Sequence, residues 1–369
     1  MSHTDRATAA AGRPHRSRTL GHAEEVITRA LQLTRAGNPL EFVDAPTVPP
    51  GPGEVQLSVE AAGICHSDVH YRSGLRELDT LPVVPGHETA GTITAVGEGV
   101  SNQLIGTRVA LHYVISCGTC VRCERYGEQF CETYDMLGVT RQGGFADTIT
   151  VPARNAVPIP DVIPTPHAAV MMCSTATALH ALHQGRLEPG QSVAVFGVGG
   201  LGMSAVQLAS ALGAVHVFAV DIDEIRLATA ADLGAAPIFS DRAGEVLREA
   251  GGADVALDLV GSLDVLRTAI DAAPPGGRVV SVGLTHGTTA LDPFADLITR
   301  EVELIGSNDH LLEEIHEVFA IAEAGRLSLD RVVTGRIPLD AVGVNRVMDA
   351  MEGYGPGIRT VIEPQSATD

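Results

Sequence analysis

The stretch that most restricts the fold begins at Gln191. Gln191-Ser192-Val193-Ala194-Val195-Phe196 is an apolar run with no alternation, as a strand of a parallel sheet covered on both faces requires. It breaks into Gly197-Val198-Gly199-Gly200-Leu201-Gly202, passes through an Ala-rich segment to Gly213, and resumes as Val215-His216-Val217-Phe218-Ala219-Val220-Asp221. A lone G-x-G-x-x-G is a weak signal. Strand, glycine turn, helix, second strand and a terminal acid together are what a dinucleotide-binding βαβ unit needs. The glycines let the backbone close on a pyrophosphate at the helix N-terminus. Asp221 is placed to accept from adenosine ribose hydroxyls and to repel a 2′-phosphate, so NAD is expected over NADP. The pattern continues with strands over 254–261, 278–283 and 303–307, and a helix to about Ala273. These predict an α/β fold with a doubly wound parallel sheet.

The first half of the chain reads differently. Residues 1 to about 25 are polar, lack apolar periodicity and are expected to be disordered. Short strands broken by Pro and Gly follow. Glu54-Val55-Gln56-Leu57-Ser58-Val59-Glu60-Ala61 alternates with period two, as a half-buried strand does. Gly91–Gly97 and Gly143–Val151 are further strands, and a helix is expected over roughly His167 to Gln184. A helix near Leu311 to Gly325 and a strand at Ile358–Ile362 are expected to return to this first, mostly β domain. A length of 369 residues fits two domains.

Charge and composition exclude several function classes. The formal net charge is −20, which disfavours nucleic-acid backbones and anionic membranes as partners. No apolar run approaches the length of a membrane span. All 25 basic residues other than histidine are arginines. Without lysine there is no Schiff-base chemistry and no P-loop lysine. A hydride-transfer enzyme written in this chain must polarise its carbonyl by other means, and a metal is the obvious candidate.

Of the six cysteines, four fall in one short segment, Cys117-x-x-Cys120-x-x-Cys123-x7-Cys131. Four thiolates complete a tetrahedral zinc shell with no open position, the mark of a structural site. An iron–sulfur run would place its fourth cysteine after three residues and follow it with proline, which this segment does not. No apolar signal segment is visible, and metal binding in a reducing cytosol fits the spacing better than disulfides.

The remaining two cysteines are ambiguous taken singly. Gly63-Ile64-Cys65-His66-Ser67-Asp68-Val69-His70 gathers a thiol, two imidazoles, a hydroxyl and a carboxylate behind a strand. It reads as a metal and proton-transfer site or, taken alone more simply, as a buried structural thiol at Cys65 with His70 on the surface. Cys173 reads as a small buried hydrophobe or a ligand; Thr177 shares its helical face.

Taken together, Gly63-x-Cys65-His66-Ser67-Asp68, Gly86-His87-Glu88, the four-cysteine lobe, Cys173 with Thr177, and the glycine turn with Asp221 resemble the zinc-dependent alcohol dehydrogenases of the medium-chain dehydrogenase/reductase superfamily. The resemblance runs from about residue 28 to the C-terminus. It implies a GroES-like irregular β-barrel catalytic domain over 27–172 and 309–369, with a structural zinc lobe at 113–135. It implies a Rossmann NAD-binding domain over 173–308, behind an extension over 1–26. Two Zn²⁺ per chain and NAD(H) follow as cofactors. By resemblance Cys65, His87 and Cys173 ligate the catalytic zinc, Glu88 coordinates transiently, and Asp68 supports His87 from behind. Cys117, Cys120, Cys123 and Cys131 hold the structural zinc.

The resemblance further makes Ser67 and His70 the proton relay and sets His66 and Arg359 on the pyrophosphate. Thr177 and Leu201 pack the nicotinamide ring, Val260 and Val282 bind the cofactor, and Tyr113 narrows the substrate pocket. The implied reaction is reversible hydride transfer between a primary or secondary alcohol and NAD⁺. Polyol, sugar or formaldehyde-adduct dehydrogenases are alternatives, and a non-catalytic NAD-binding protein a remote one. The partner set is a small-molecule alcohol, aldehyde or ketone, with no nucleic acid or membrane, in a cytoplasmic homodimer or homotetramer. Arg72, after the relay histidine, reads as a solvated loop arginine or, less simply, as a hint of an anionic substrate. Tyr71-Arg72 is where substrate preference is expected to begin.

Overall fold

A computed structural model describes residues 27–78, 80–353 and 357–365; the extension expected over 1–26 lies outside them. Ser192–Phe196 is an interior strand of a six-stranded parallel sheet. The spatial order is Ala236–Phe239, His216–Asp221, Ser192–Phe196, Val255–Asp258, Arg278–Ser281, Glu303–Gly306. In chain order this is 3-2-1-4-5-6, the doubly wound arrangement. Val193, Ala194, Val195 and Phe196 are all buried, as an apolar run without alternation demands. The order reverses between Ser192–Phe196 and Val255–Asp258, and a crevice opens there beyond the strand ends. Helix Gly200–Ala211 packs directly on the turn before it, because a Cβ on Gly202 would overlap the carbonyl oxygen of Gly197.

The second large sheet has seven strands and is mostly antiparallel. Its spine is Glu54–Gly63, which pairs with Glu88–Val96, Thr148–Pro152 and Arg359–Ile362. Burial alternates along this strand as its sequence predicts, then turns continuous over Ala61, Ala62 and Gly63, where helix Thr165–Val170 covers it. Two register shifts against Glu88–Val96 bend the pair, as bulges do. The strand expected over Gly143–Val151 is shorter, Thr148–Pro152. Residues 143–145 instead donate backbone hydrogen bonds to Val84, Gly86 and Pro85. Val333–Ile337 and Arg359–Ile362 run parallel, joined through helix Ala341–Glu352.

The helix expected from His167 to Gln184 is interrupted. Thr165–Val170 and Ala176–Gln184 flank a wider turn at Met171–Thr175, where the Ala176 amide donates back to Met171. Such π-turns cluster at functional sites, and this one carries Cys173.

Helix Ala176–Gln184 meets helix Leu312–Glu323 through a buried carboxylate. Glu314 receives the Leu311 amide at 2.8 Å and faces His180 Nδ1 at 2.9 Å and His183 Nδ1 at 3.0 Å. Burial raises its pKa, but the two imidazoles and the amide overcome this and hold it down at about 2. His183 is raised by the same contact. A depressed carboxyl contributes stability above its ordinary value of 4.5, lost as pH falls through about 2. A raised imidazole contributes below its ordinary 6.5 and loses it as pH rises through its folded value. The expected result is that Glu314→Gln lowers the melting temperature most between pH 4.5 and 6.5. Paired thermal melts across pH check this, and a difference independent of pH would sink it.

Candidate active site

In the four-cysteine lobe, Cys117–Cys123, Cys120–Cys123 and Cys117–Cys131 lie 3.9, 3.5 and 3.6 Å apart, sulfur to sulfur. None is in a disulfide. Zinc–thiolate bonds of about 2.3 Å in a tetrahedron put the sulfurs about 3.8 Å apart, so the spacing fits the ion. Backbone amides of Cys117, Cys120 and Thr133 point at sulfur, which supports thiolate charge. The amides of Thr119 and Cys120 help hold the Cys117 thiol down at about 6.

A second group, Cys65, His87, Glu88 and Cys173, brings four donor atoms within 4.8 Å of one another. It draws on three elements. Cys65 is the N-cap residue of helix His66–Ser73, and its amide donates to Asp68 Oδ2 at 2.9 Å. His87 and Glu88 enter the strand Glu88–Val96, and Cys173 sits in the π-turn. All four are buried, and neither ring nitrogen of His87 has a hydrogen-bond partner. The other Asp68 oxygen faces His87 Nδ1 at 3.2 Å. With Nδ1 facing Asp68, a buried Nε2 without a partner is costly unless something else occupies it, and a thiol–imidazole–thiol set suits zinc. Gly63 is needed for this closeness: a Cβ there would overlap Glu88 Oε2. Arg359, itself buried, forms an ion pair with Glu88. Burial pushes the Glu88 carboxyl up to about 8 against that pull.

Cys65, His87 and Cys173 border a cleft of about 790 Å³ between the two sheets. Ser67, His66 and His70 line it, and the two imidazoles stack edge to face at 4.9 Å, one turn apart. Burial, then the neighbouring His66, holds His70 below its ordinary value, so it is a proton acceptor at neutral pH. Thr177, Gly197, Gly199, Gly200, Leu201, Gly202, Asp221, Val260, Val282 and Arg359 line the crevice end. Asp221 accepts from the amides of Val198 and Ile222 at 2.8 Å and of Asp223 at 3.0 Å, which fixes its carboxylate on the glycine turn.

The far end holds Tyr113, Tyr71 and Met136. Tyr113 stacks edge to face on His87 at 5.2 Å. Arg72 is not a solvated loop arginine and is absent from the cleft. It is 6% exposed and its guanidinium turns to Asp349 at 2.7 Å and to Glu352 at 3.4 Å on helix Ala341–Glu352. Arg76 lines the cleft instead, over the Tyr71 ring. Sequence reading also missed His286, Asn308 and Asp309, which reach the cleft from loops without a motif.

Comparison with known proteins agrees with this geometry. Residues 51–161 match the alcohol dehydrogenase GroES-like domain, and residues 200–323 match the zinc-binding dehydrogenase domain. An alcohol dehydrogenase of Moraxella sp. is 35% identical over 78% of this chain and 86% of its own length. An NAD-dependent alcohol dehydrogenase of Sulfurisphaera tokodaii is 32% identical over 91% of this chain and 100% of its own. The chain belongs to the zinc-type medium-chain alcohol dehydrogenases. A cobalt- and zinc-bound thermostable alcohol dehydrogenase from Pyrobaculum aerophilum superposes on this alcohol dehydrogenase with a TM-score of 0.82, at 28% identity, covering 92% of this chain and 100% of that one. The zinc-type alcohol dehydrogenase described here is thus an oxidoreductase working with zinc and NAD(H) on alcohols, and the polyol, sugar and formaldehyde-adduct alternatives are not favoured. Among the described residues no helix is long and apolar enough to cross a membrane.

Proposed function

We propose that Cys65, His87 and Cys173 hold a catalytic zinc, with Glu88 as an exchangeable fourth donor, and that Cys117, Cys120, Cys123 and Cys131 hold a structural one. The observation that carries this is the buried donor quartet in which His87 Nε2 has no hydrogen-bond partner. Bound there, the metal supplies Lewis acidity toward an alcohol oxygen and the nicotinamide accepts hydride. The chain's own residues do the rest. Ser67 and His70 take the hydroxyl proton and pass it along the cleft wall toward solvent. Asp68 orients His87, and Tyr113 closes the side of the pocket against it. Thr177, Leu201, Val260 and Val282 hold the nicotinamide, and His66 and Arg359 the pyrophosphate. The domain limits follow: 173–308 for the nucleotide unit, 27–172 and 309–369 for the catalytic unit, 113–135 for the lobe. Elemental analysis should find about two zincs per chain, the count the two donor sets require. Parent protein that is fully active with one zinc or none would overturn the scheme.

Asp221 sets the cofactor preference. Asp221→Ser should cut the ratio of kcat/KM for NAD⁺ over NADP⁺ by about tenfold or more, since the repelling charge is lost. Steady-state kinetics with both cofactors checks this; an unchanged ratio would assign the preference elsewhere.

A homodimer or homotetramer is part of the reading. Its support is the edge strand Glu303–Gly306, open along one side, with exposed Leu304, Phe294 and Ile298. Unpaired edges with apolar neighbours suit pairing across a two-fold axis. A cytoplasmic location is supported by six cysteines free of disulfides.

A further inference from the structure

Asp309 projects an acid into the substrate end of the cleft, on a loop with no recognisable motif. Were it a solvated loop acid, its neighbours would leave it free to swing. They do not. The Tyr113 hydroxyl donates to Asp309 Oδ1 at 2.9 Å, and the Asn308 amide nitrogen reaches Oδ2 at 3.3 Å. Asp309 has a φ of +52°, in the left-handed region that aspartate tolerates better than most residues with a β-carbon.

The surroundings of Asp309 are rigid on the C-terminal side. His310 is fully buried, packed edge to face on His112 and Tyr113 at 5.1 Å each. The Leu311 amide donates to Glu314 at 2.8 Å and the Leu312 amide to Glu128 of the four-cysteine lobe at 2.6 Å. The carboxylate is therefore preorganised, which is what a recognition group needs and a surface acid does not. Tyr113 also touches His87, so one ring connects the metal donors to this acid. An alcohol with its oxygen beside His87 and its chain along that ring would meet Asp309 with its far end. Both carboxylate oxygens accept a hydrogen bond and keep capacity for more.

We propose that Asp309 is a specificity-determining residue, and that the substrate is an alcohol carrying a second hydrogen-bond donor, a hydroxyl or an amine, at the end remote from the carbinol. This rests on the assignment of Cys65, His87 and Cys173 as the site where the carbinol binds.

The test compares terminal diols and amino alcohols, butane to heptane in length, with alkanols of matched length, reading kcat/KM with NAD⁺. Dead-end binding to the NADH-saturated holoenzyme, by calorimetry, gives a second readout. The parent should prefer a donor-bearing alcohol by about tenfold or more, the scale of a hydrogen bond to a charged group. That ratio should fall to near one in Asp309→Ala for both turnover and binding. Asp309→Asn should keep part of the preference for the diol, which needs an acceptor, and lose it for the amine, which needs the charge. A purely structural loss would lower all substrates alike and leave the ratio intact, which overturns the proposal. So would a parent that treats both classes alike while oxidising alkanols. Failure of every alcohol in the parent would overturn the carbinol-site assignment and this inference with it.

Discussion

Cys65→Ser should lower alcohol-dependent NADH formation by roughly a thousandfold or more, and remove one zinc per chain while leaving the other. A serine hydroxyl is a poor zinc ligand at neutral pH, and the remaining His87 and Cys173 come from two unconnected elements with no reason to hold an ion alone. The cofactor crevice is built from other residues, so NADH affinity should stay within about threefold of the parent. Helix His66–Ser73 keeps its cap, because the residue-65 amide still donates to Asp68 and a serine oxygen accepts from the Asp68 amide in place of the thiol. Elemental analysis, NADH titration and turnover separate these outcomes. Wild-type turnover with the zinc count unchanged would remove Cys65 from the site.

The second large effect is expected at the lobe. Cys131→Ser should remove the other zinc and lower the apparent melting temperature by about 10 °C or more. A loss of several kcal/mol at a structural zinc shifts a domain of this size by about 2–4 °C per kcal/mol. Without the ion, thiols crowded at 3.5–3.9 Å lose what held them together. Glu128, between the third and fourth cysteines, would no longer be fixed against Ser116, Arg154 and the Leu312 amide. Activity should fall with the folded fraction and not at the chemical step. Scanning calorimetry with turnover normalised to native protein checks this. A melting temperature within about 2 °C of the parent would make the lobe dispensable for stability.

What was legible in the sequence is what is local in the chain. The strand–glycine turn–helix unit and the four-cysteine segment each carry their geometry within a few turns of backbone, so spacing alone announced them. The pairing of Cys65 with His87 and Cys173 was not written locally, and came only with the resemblance. The π-turn at Met171–Thr175 escaped, because helical spacing reads the same whether one turn is wide or not. Arg72 was misread for a different reason: its burial depends on helix Ala341–Glu352, nearly the whole chain away. Asp309 meets Tyr113 across 196 residues, a contact that no pattern at one position can advertise.

Gly63 pairs with Glu88 on one side and Val361 on the other, and Glu88 and Arg359, which form a buried ion pair, are 271 residues apart. A chain emerging from the ribosome makes Glu88 early and Arg359 almost last. Until then the buried acid lacks the guanidinium that offsets part of its burial. The nucleotide-binding sheet lies between the two partners in the chain, so this buried pair closes only after that sheet has been made.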